Sequence, residues 1–383
     1  MSDKLNWGMF SKYRTEIYGI TAVMIMVFHS SWVVSIQGVV YMFVSVLCYG
    51  VDIFLFLSGI CLFFSYQSNS NYYDFMKKRI RRTLIPYLSI GVFFWIWKSL
   101  IVNFDVWDFV YNATGLSLFL SRNDGVLSLA KPTFWYVGFI LVMYAIFPIF
   151  YKAFYNVSKK NRIVNFTFLL LFVNVLVVLI KFYVEKTFVE VEIGLIRINI
   201  FLVGCYVGGY VKEMKPFDIK DYVFFLLVFP IKGITMGLKL NSLIVNRYIG
   251  LFAALTICFF AVFVFEKLGN RISIKPLLKV FSFLGEISLE LYIIHVMLYR
   301  ILLHYFPDIS ENTTKAILSY VLIFFFSILF SVIFNRSLCL LTNLIKKLKI
   351  RFQFPSLNWI VCFQLFSYKK KHCSKPSFEQ CFF

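Results

Sequence analysis

Residues 17–36 read IYGITAVMIMVFHSSWVVSI, an apolar run of 20 residues that contains one histidine and no Lys, Arg, Asp or Glu. A helix of about 20 residues spans the hydrocarbon core of a bilayer, which is roughly 30 Å thick. Backbone groups inside lipid have to be hydrogen-bonded within helices or closed barrels, and barrel strands are only about ten residues long. The stretch therefore predicts a membrane-spanning helix.

Further runs of this kind predict an all-α, polytopic integral membrane protein with about ten transmembrane helices. The predicted spans are residues 17–36, 39–64, 84–102, 133–151, 166–180, 198–211, 222–238, 250–265, 281–303 and 316–335. Residues 1–343 form one transmembrane domain, and residues 344–383 form a basic, aromatic tail. That tail is either a surface helix on anionic lipid or a disordered segment.

Composition and charge support a membrane protein. Hydrophobic residues make up 60% of the chain and charged residues 15%, against about 25% charged in soluble domains. The net charge of +20 would suggest nucleic acid for a soluble protein. Here, however, 28 Lys and Arg lie on one side of the predicted membrane, 8 on the other and 3 within spans, whereas acidic residues divide 8 to 8 between the sides. This bias predicts that both termini are cytoplasmic, and we expect no nucleic-acid partner.

Ionisable side chains within the predicted spans are the first candidates for a site, because an Asp near the bilayer centre costs at least about 2.5 kcal/mol. His29, Asp52, Glu290 and His295 are such residues. At a rise of 1.5 Å per residue, His29 lies about 18 Å and His295 about 21 Å from the cytoplasmic ends of their predicted spans. Asp52 lies about 20 Å from the opposite, outer end of its predicted span. Three helices could therefore bring two imidazoles and a carboxylate to one depth.

This combination suits acid–base chemistry. Histidine titrates near neutral pH and serves as a general base, and a carboxylate can orient its ring and raise its basicity. The alternative is that each side chain only forms a hydrogen bond between helices. We predict that His29 is catalytic, either as a general base or as a transient covalent carrier, and that Asp52 orients it.

A basic cluster precedes the third predicted span. Arg79 and Arg82 are three residues apart and share one face of a helix. Guanidinium groups bind phosphates with two parallel hydrogen bonds, so the pair could hold a phosphorylated ligand. On spacing alone, an ordinary positive-inside cluster is the alternative. Eight cysteines are present without a CxxC motif or an obvious ligand set, so we expect neither a disulfide framework nor a metal site.

Four blocks of sequence resemble the acyltransferase-3 family of membrane acyltransferases. They are residues 14–30 (RTEIYGI to VFHS), residues 50–59 (GVDIFLFLSG), residues 79–87 (RIRRTLIPY) followed by residues 134–148, and residues 284–295 (LGEISLELYIIH). The second block is similar to the family's G-V-D-x-F-F-x-x-S-G. The resemblance extends from residue 14 to about residue 335 and leaves the tail outside.

The resemblance implies ten core helices and transfer of an acetyl or other short acyl group from a coenzyme A thioester to a carbohydrate hydroxyl. His29 matches the family's essential first-span histidine, and Arg79 and Arg82 match its basic motif. The family commonly has Arg eleven residues before that histidine, where this chain has Tyr18. Arg14 lies one helical turn earlier on the same face and is the expected substitute.

Together these observations predict an O-acetyltransferase in the bacterial cytoplasmic membrane that uses acetyl-CoA and acts on a cell-surface or exported polysaccharide. Arg14, Arg79 and Arg82 are predicted to hold the phosphates of acetyl-CoA. Residues assigned to substrate binding are Trp135, Tyr136, Glu290 and His295. For the two aromatic residues, an interfacial belt is an equally good interpretation. The alternative functions are a transporter or flippase of a lipid-linked glycan and a membrane glycan polymerase.

Overall fold

The protein is helical in a computed structural model that describes residues 5–101, 106, 135–184, 191–240, 242–269 and 274–352. Its α-helices are α1 (Met9–Lys12), α2 (Arg14–His29), α3 (Gly38–Val46), α4 (Gly50–Ser68), α5 (Tyr72–Ile101), α6 (Trp135–Tyr155), α7 (Lys159–Tyr183), α8 (Ile198–Lys212), α9 (Ile219–Leu226), α10 (Val228–Gly237), α11 (Leu243–Leu268), α12 (Lys275–Glu286), α13 (Ser288–Tyr305) and α14 (Thr313–Phe352). An isolated β-bridge joins Asn6 to Pro216. The predicted all-α class is confirmed for the described residues.

Within that part of the chain, six helical stretches are long and apolar enough to cross a membrane. They are Gly38–Ser68, Trp135–Tyr155, Lys159–Tyr183, Val191–Lys212, Ile244–Leu268 and Thr313–Leu341. Large apolar side chains such as Phe168 and Phe172 on α7 and Phe325 on α14 are exposed, as they are when lipid covers a helix. The chain is therefore a multi-pass membrane protein. Ten spans with both termini cytoplasmic stays a prediction.

The first predicted span is shorter than expected. Helix α2 ends at His29, and a 3-10 turn over Ser30–Trp32 follows it, so the prediction of a helix as far as residue 36 is wrong. Ser30 donates a hydrogen bond to the carbonyl of Val27 at 2.6 Å, and Ser31 donates one to the carbonyl of Phe28 at 2.8 Å. These hydroxyls occupy carbonyls at the helix end, where the regular ladder stops. His29 consequently lies at a helix terminus.

The ninth predicted span, residues 281–303, is also broken. Ile287 has φ −112° and ψ 17°, which separates α12 from α13. Helix α12 carries exposed apolar side chains at Leu277, Val280 and Phe283, spaced along one face. His295 lies on α13, beyond the break, so its position depends on how α12 and α13 are attached to α2.

Two glycines set that attachment. A β-carbon on Gly19 of α2 would overlap the backbone carbonyl of Phe281, and one on Gly285 of α12 would overlap the carbonyl of Thr15. Each glycine therefore meets the carbonyl four residues before the other, which brings the two backbones into direct contact. Beyond this crossing, Ala22 and Met26 of α2 pack with Ile287 and Leu291, so the chains run parallel.

A second pair of helices crosses in the same way. A β-carbon on Gly204 of α8 would overlap the carbonyl of Phe56 on α4, and Gly59 of α4 lies against the backbone around Gly204. Four residues further along both helices, Gly208 meets the side chain of Phe63. Helices α4 and α8 are therefore also parallel, and small residues at their interface allow close packing without a hydrophobic driving force from lipid.

Candidate active site

The two histidines of the predicted spans form a direct pair. Nδ1 of His29 lies 2.8 Å from Nε2 of His295, and Nδ1 of His295 lies 2.6 Å from the backbone carbonyl oxygen of Leu291. The ring centroids are 5.0 Å apart with an interplanar angle of 22°. Exposed fractions are 8% for His29 and 0% for His295. The two imidazoles for which the sequence predicted a similar depth are therefore in contact.

The crossing at Gly19 and Gly285 explains why the rings meet. His29 lies ten residues beyond Gly19, and His295 lies ten residues beyond Gly285. Because the two chains run parallel from the crossing, ten residues carry both side chains about 15 Å in the same direction. The pair is thus a consequence of equal spacing from one backbone contact.

Aromatic rings enclose the imidazole pair. The ring of Trp32 lies 4.2 Å from that of His29, and the guanidinium of Arg300 lies 5.4 Å from the centre of Trp32. Tyr299 meets His295 edge-on at 6.2 Å. Such an enclosure keeps bulk water away from the imidazoles and places the guanidinium of Arg300 over the indole ring that packs on His29.

Asp52 does not orient His29, and that prediction is wrong. Nε of Arg197 donates to one carboxylate oxygen of Asp52 at 2.8 Å and Nη2 donates to the other at 3.3 Å, with both side chains buried. The reason is rotation about the helix axis. On α4, Phe54 stacks on Tyr18 of α2 at 5.2 Å, whereas Asp52 is about 200° away around the helix and faces α8.

Arg197 is a residue that sequence reasoning placed in an outward loop and missed. It lies seven residues before Gly204, as Asp52 lies seven residues before Gly59. The two glycines form the α4–α8 crossing, so equal spacing again brings the polar side chains together. The repeated glycine offset, visible as DIFLFLSG and RINIFLVG, was the signal that could have found this pair.

A partly open cavity of about 90 Å³ lies near the imidazole pair. Its lining residues are Tyr18, Val51, Phe54, Ser58, Arg82, Thr83, Tyr136, Ile140, Tyr144, Ser288, Leu289 and Tyr292. Four of them are tyrosines and two are serines, so hydroxyl groups interrupt an otherwise apolar wall. Neither His29 nor His295 is part of the lining. The ring of Tyr292, however, lies 6.1 Å from the ring of His295, so one aromatic side chain separates cavity and imidazoles.

One of the arginines predicted to bind phosphate lines this cavity, and the other two lie close to lining residues. Arg82 is part of the lining. Arg79 is 1% exposed, and its guanidinium lies 5.6 Å from the ring of Phe75 and 5.9 Å from that of Tyr144. Arg14 begins α2 one turn before the cavity residue Tyr18. Arg82 is therefore on the cavity wall, Arg79 lies behind the lining residue Tyr144, and Arg14 lies one turn from the lining residue Tyr18.

The aromatic residues predicted to bind substrate lie at the start of α6. Along α6, Tyr136 lies eight residues, or about 12 Å, from Tyr144. The ring of Tyr136 meets those of Trp135 at 6.2 Å and Tyr292 at 5.7 Å. Trp135 is 6% exposed, and the guanidinium of Arg197 lies 5.2 Å from its ring centre. Tyr136 therefore lines the cavity, whereas Trp135 is buried behind it.

Glu290 lies outside the cavity lining. Asn335 of α14 donates a hydrogen bond from Nδ2 to Oε1 of Glu290 at 3.2 Å, and Glu290 is 7% exposed. This contact joins α13 to α14. The structure thus gives Glu290 a partner on a neighbouring helix. Of the four residues predicted to bind substrate, only Tyr136 lines the cavity. His295 contacts His29 instead.

Comparison with known families identifies the chain's relationships. The family model Acyl_transf_3, described as an acyltransferase domain, matches residues 19–336. This range covers most of the chain and contains both histidines, the arginines of α5 and every residue of the cavity lining except Tyr18. Neither a curated protein nor a solved structure matches the chain.

Proposed function

The chain belongs to the Acyl_transf_3 family of acyltransferase domains, and from this premise we propose that it is an O-acyltransferase that moves an acetyl or other short acyl group from acyl-CoA to a hydroxyl of a cell-surface or exported polysaccharide. The observation that carries the proposal is the cavity, with an arginine at one end and, at the other, a single tyrosine ring between it and a buried imidazole pair. We place the protein in the cytoplasmic membrane of a bacterial cell.

The donor enters at the basic end. Phosphates of acyl-CoA bind Arg82 and the neighbouring Arg14 and Arg79, because charge-assisted hydrogen bonds from guanidinium groups suit phosphate oxygens. The pantetheine arm then lies along the cavity, where hydroxyls of Ser58 and the lining tyrosines can bond its amide groups. This direction points the thioester towards Tyr136 and Tyr292, away from the charged end.

Transfer itself needs one base. His29 takes the proton of the acceptor hydroxyl as the hydroxyl oxygen attacks the thioester carbonyl carbon. The new C–O bond forms, the C–S bond breaks, and the departing thiolate of coenzyme A takes the proton from His29. The products are the O-acyl ester and the free thiol, and the enzyme returns to its starting state. Because Tyr292 lies between the cavity and the imidazole pair, its side chain has to turn aside for this step.

The test uses membranes that contain the full chain and their native glycan, with radiolabelled acetyl-CoA. Label in purified glycan is expected for the wild-type protein. His29→Ala should lower the rate by about 10²–10⁴-fold, the contribution typical of a general base. His304→Ala is the matched control, because His304 is on the same helix as His295 but contacts Trp97 instead of the pair, and it should transfer label normally. No labelled glycan from wild-type membranes, or normal rates in His29→Ala at normal protein levels, would contradict the proposal.

A further inference from the structure

The atoms that meet at His295 determine which nitrogen of each imidazole carries a proton. Nδ1 of His295 lies 2.6 Å from the carbonyl oxygen of Leu291, four residues earlier on α13. A carbonyl oxygen can only accept, so Nδ1 of His295 is the donor. A neutral imidazole has one N–H, and therefore Nε2 of His295 is an acceptor.

The same reasoning then applies to His29. Its Nδ1 lies 2.8 Å from Nε2 of His295. Since Nε2 of His295 accepts, Nδ1 of His29 donates, and the lone pair of His29 is on Nε2. This proton assignment follows from the hydrogen-bond partners. One backbone carbonyl thus sets the tautomer of two imidazoles in succession.

We propose that His295 is a positioning residue that holds His29 in the tautomer whose Nε2 is free to take the proton from the acceptor hydroxyl. The proposal rests on the proposed function, in which His29 is the base. His295 also offers its lone pair to the Nδ1 proton when His29 becomes an imidazolium. It does both without touching either substrate.

The geometry of α13 suits this role. The bond to Leu291 lies within a single helical turn, so the ring of His295 is held by its own helix. Tyr292 and Tyr299 meet it edge-on at 6.1 and 6.2 Å, which limits rotation of the ring. A carboxylate could orient His29 too, but an ionised carboxylate is far more costly to bury in an apolar site than a neutral imidazole with both nitrogens bonded.

The two hydrogen bonds of His295 can be tested one at a time by substitution with Asn or Gln, because these amide side chains differ in length. In His295→Asn the short amide can still bond the carbonyl of Leu291 but is too short to reach His29. In His295→Gln the amide oxygen can reach Nδ1 of His29 and accept its proton. A purely structural role for His295 predicts no advantage for Gln, whereas positioning of His29 predicts that Gln is the more active variant.

The experiment measures kcat and KM for acetyl-CoA in membranes that contain each full-length variant at matched levels. We expect His295→Asn to lower kcat about 10²-fold or more, with KM within about twofold, and His295→Gln to recover about tenfold of that loss. His304→Gln is the control and should match wild type.

Three results would overturn the role of His295. They are equal activity of the Asn and Gln variants, wild-type kcat in the Asn variant, and an effect confined to KM. A failure of the proposed function is distinguishable, because it would appear as normal activity of His29→Ala or as no transfer by wild-type membranes, whatever the His295 variants do.

Discussion

Two pairs of parallel helices in this protein are built alike and carry different chemistry. Helices α2 and α12 cross at Gly19 and Gly285, and α4 and α8 cross at Gly59 and Gly204. In the first pair the polar partners, His29 and His295, lie ten residues beyond the glycines. In the second pair the polar partners, Asp52 and Arg197, lie seven residues before the glycines. Both arrangements bring two buried polar side chains into contact by equal spacing.

The two pairs differ in whether a hydrogen-bonding atom remains available after the partners have bonded each other. Asp52 and Arg197 are opposite charges whose contact uses both carboxylate oxygens, and the remaining Nη1 of Arg197 donates to the carbonyl of Ile193 at 2.8 Å. That pair is complete in itself. Among the residues that the structure describes, Nε2 of His29 has no hydrogen-bond partner, so the imidazole pair leaves one nitrogen available. A buried polar pair inside a membrane protein is therefore a reactive site only when an atom with a lone pair or a proton remains.

The largest expected effect comes from disturbing a crossing. In Gly285→Ala, the added β-carbon would overlap the carbonyl of Thr15, and neither backbone can move far without separating α2 from α12. We expect loss of most folded protein, measured as monodisperse material after detergent extraction. Gly233→Ala is the control, because its β-carbon meets nothing within 4 Å. A normal yield of Gly285→Ala would show that the crossing is not tightly packed.

The ionic pair should matter for stability rather than for chemistry. Arg197→Ala leaves Asp52 buried without its cation, which is expected to destabilise the fold by about 3–5 kcal/mol. The double variant Asp52→Leu with Arg197→Met removes both charges and should recover most of that loss. Thermal unfolding in detergent measures both effects.

Acyl transfer per folded molecule should remain within about threefold of wild type in that double variant, because the pair is complete without a substrate. If the double variant folds but is inactive, Asp52 takes part in catalysis. The ion pair would then not be purely structural, in contrast to what we propose.

A smaller effect is expected at the donor end. Arg82→Glu places a carboxylate on the cavity wall where the phosphates of acyl-CoA are proposed to bind. Loss of a charge-assisted hydrogen bond, about 1.5–3 kcal/mol, corresponds to an affinity lowered about 10–100-fold. Equilibrium binding of acetyl-CoA to the purified protein measures this change. Arg81→Glu makes the same change on the neighbouring residue, which is outside the lining, and equal losses in both variants would point to general charge attraction.

The smallest effect is a pH dependence of donor binding. Burial, followed by the positive charges of Arg82 and Arg79, lowers the pKa of Lys78 to about 8 from its ordinary 10.5. Lys78 is therefore charged below about pH 8 and becomes neutral as the pH rises through that value. Affinity for the anionic acyl-CoA should fall a few-fold between pH 7 and 9. The affinity of Lys78→Arg for acyl-CoA should stay constant over this pH range. An affinity of the wild-type protein that is equally constant would exclude Lys78 from the donor site.

Composition and the spacing of apolar runs were sufficient to predict the environment of the chain and the approximate depth of its polar residues. Long apolar runs with few charges can be accommodated only by helices in lipid, and the rise per residue places each histidine along its helix. His29 and His295, for which the sequence predicted similar depths, are in contact in the structure, although α2 ends early and Ile287 separates α12 from α13. The blocks around these residues also indicated the acyltransferase family that matches residues 19–336.

The packing of the helices against one another selects which side chains of similar predicted depth are in contact. Depth is a distance along a helix, whereas contact also depends on the angle around it, and each residue turns that angle by about 100°. Asp52 had a suitable depth but the wrong face, so it bonds Arg197 and not His29. The angle is set by which helices cross and at which glycines, and that choice arises from packing among all the helices rather than from any one of them.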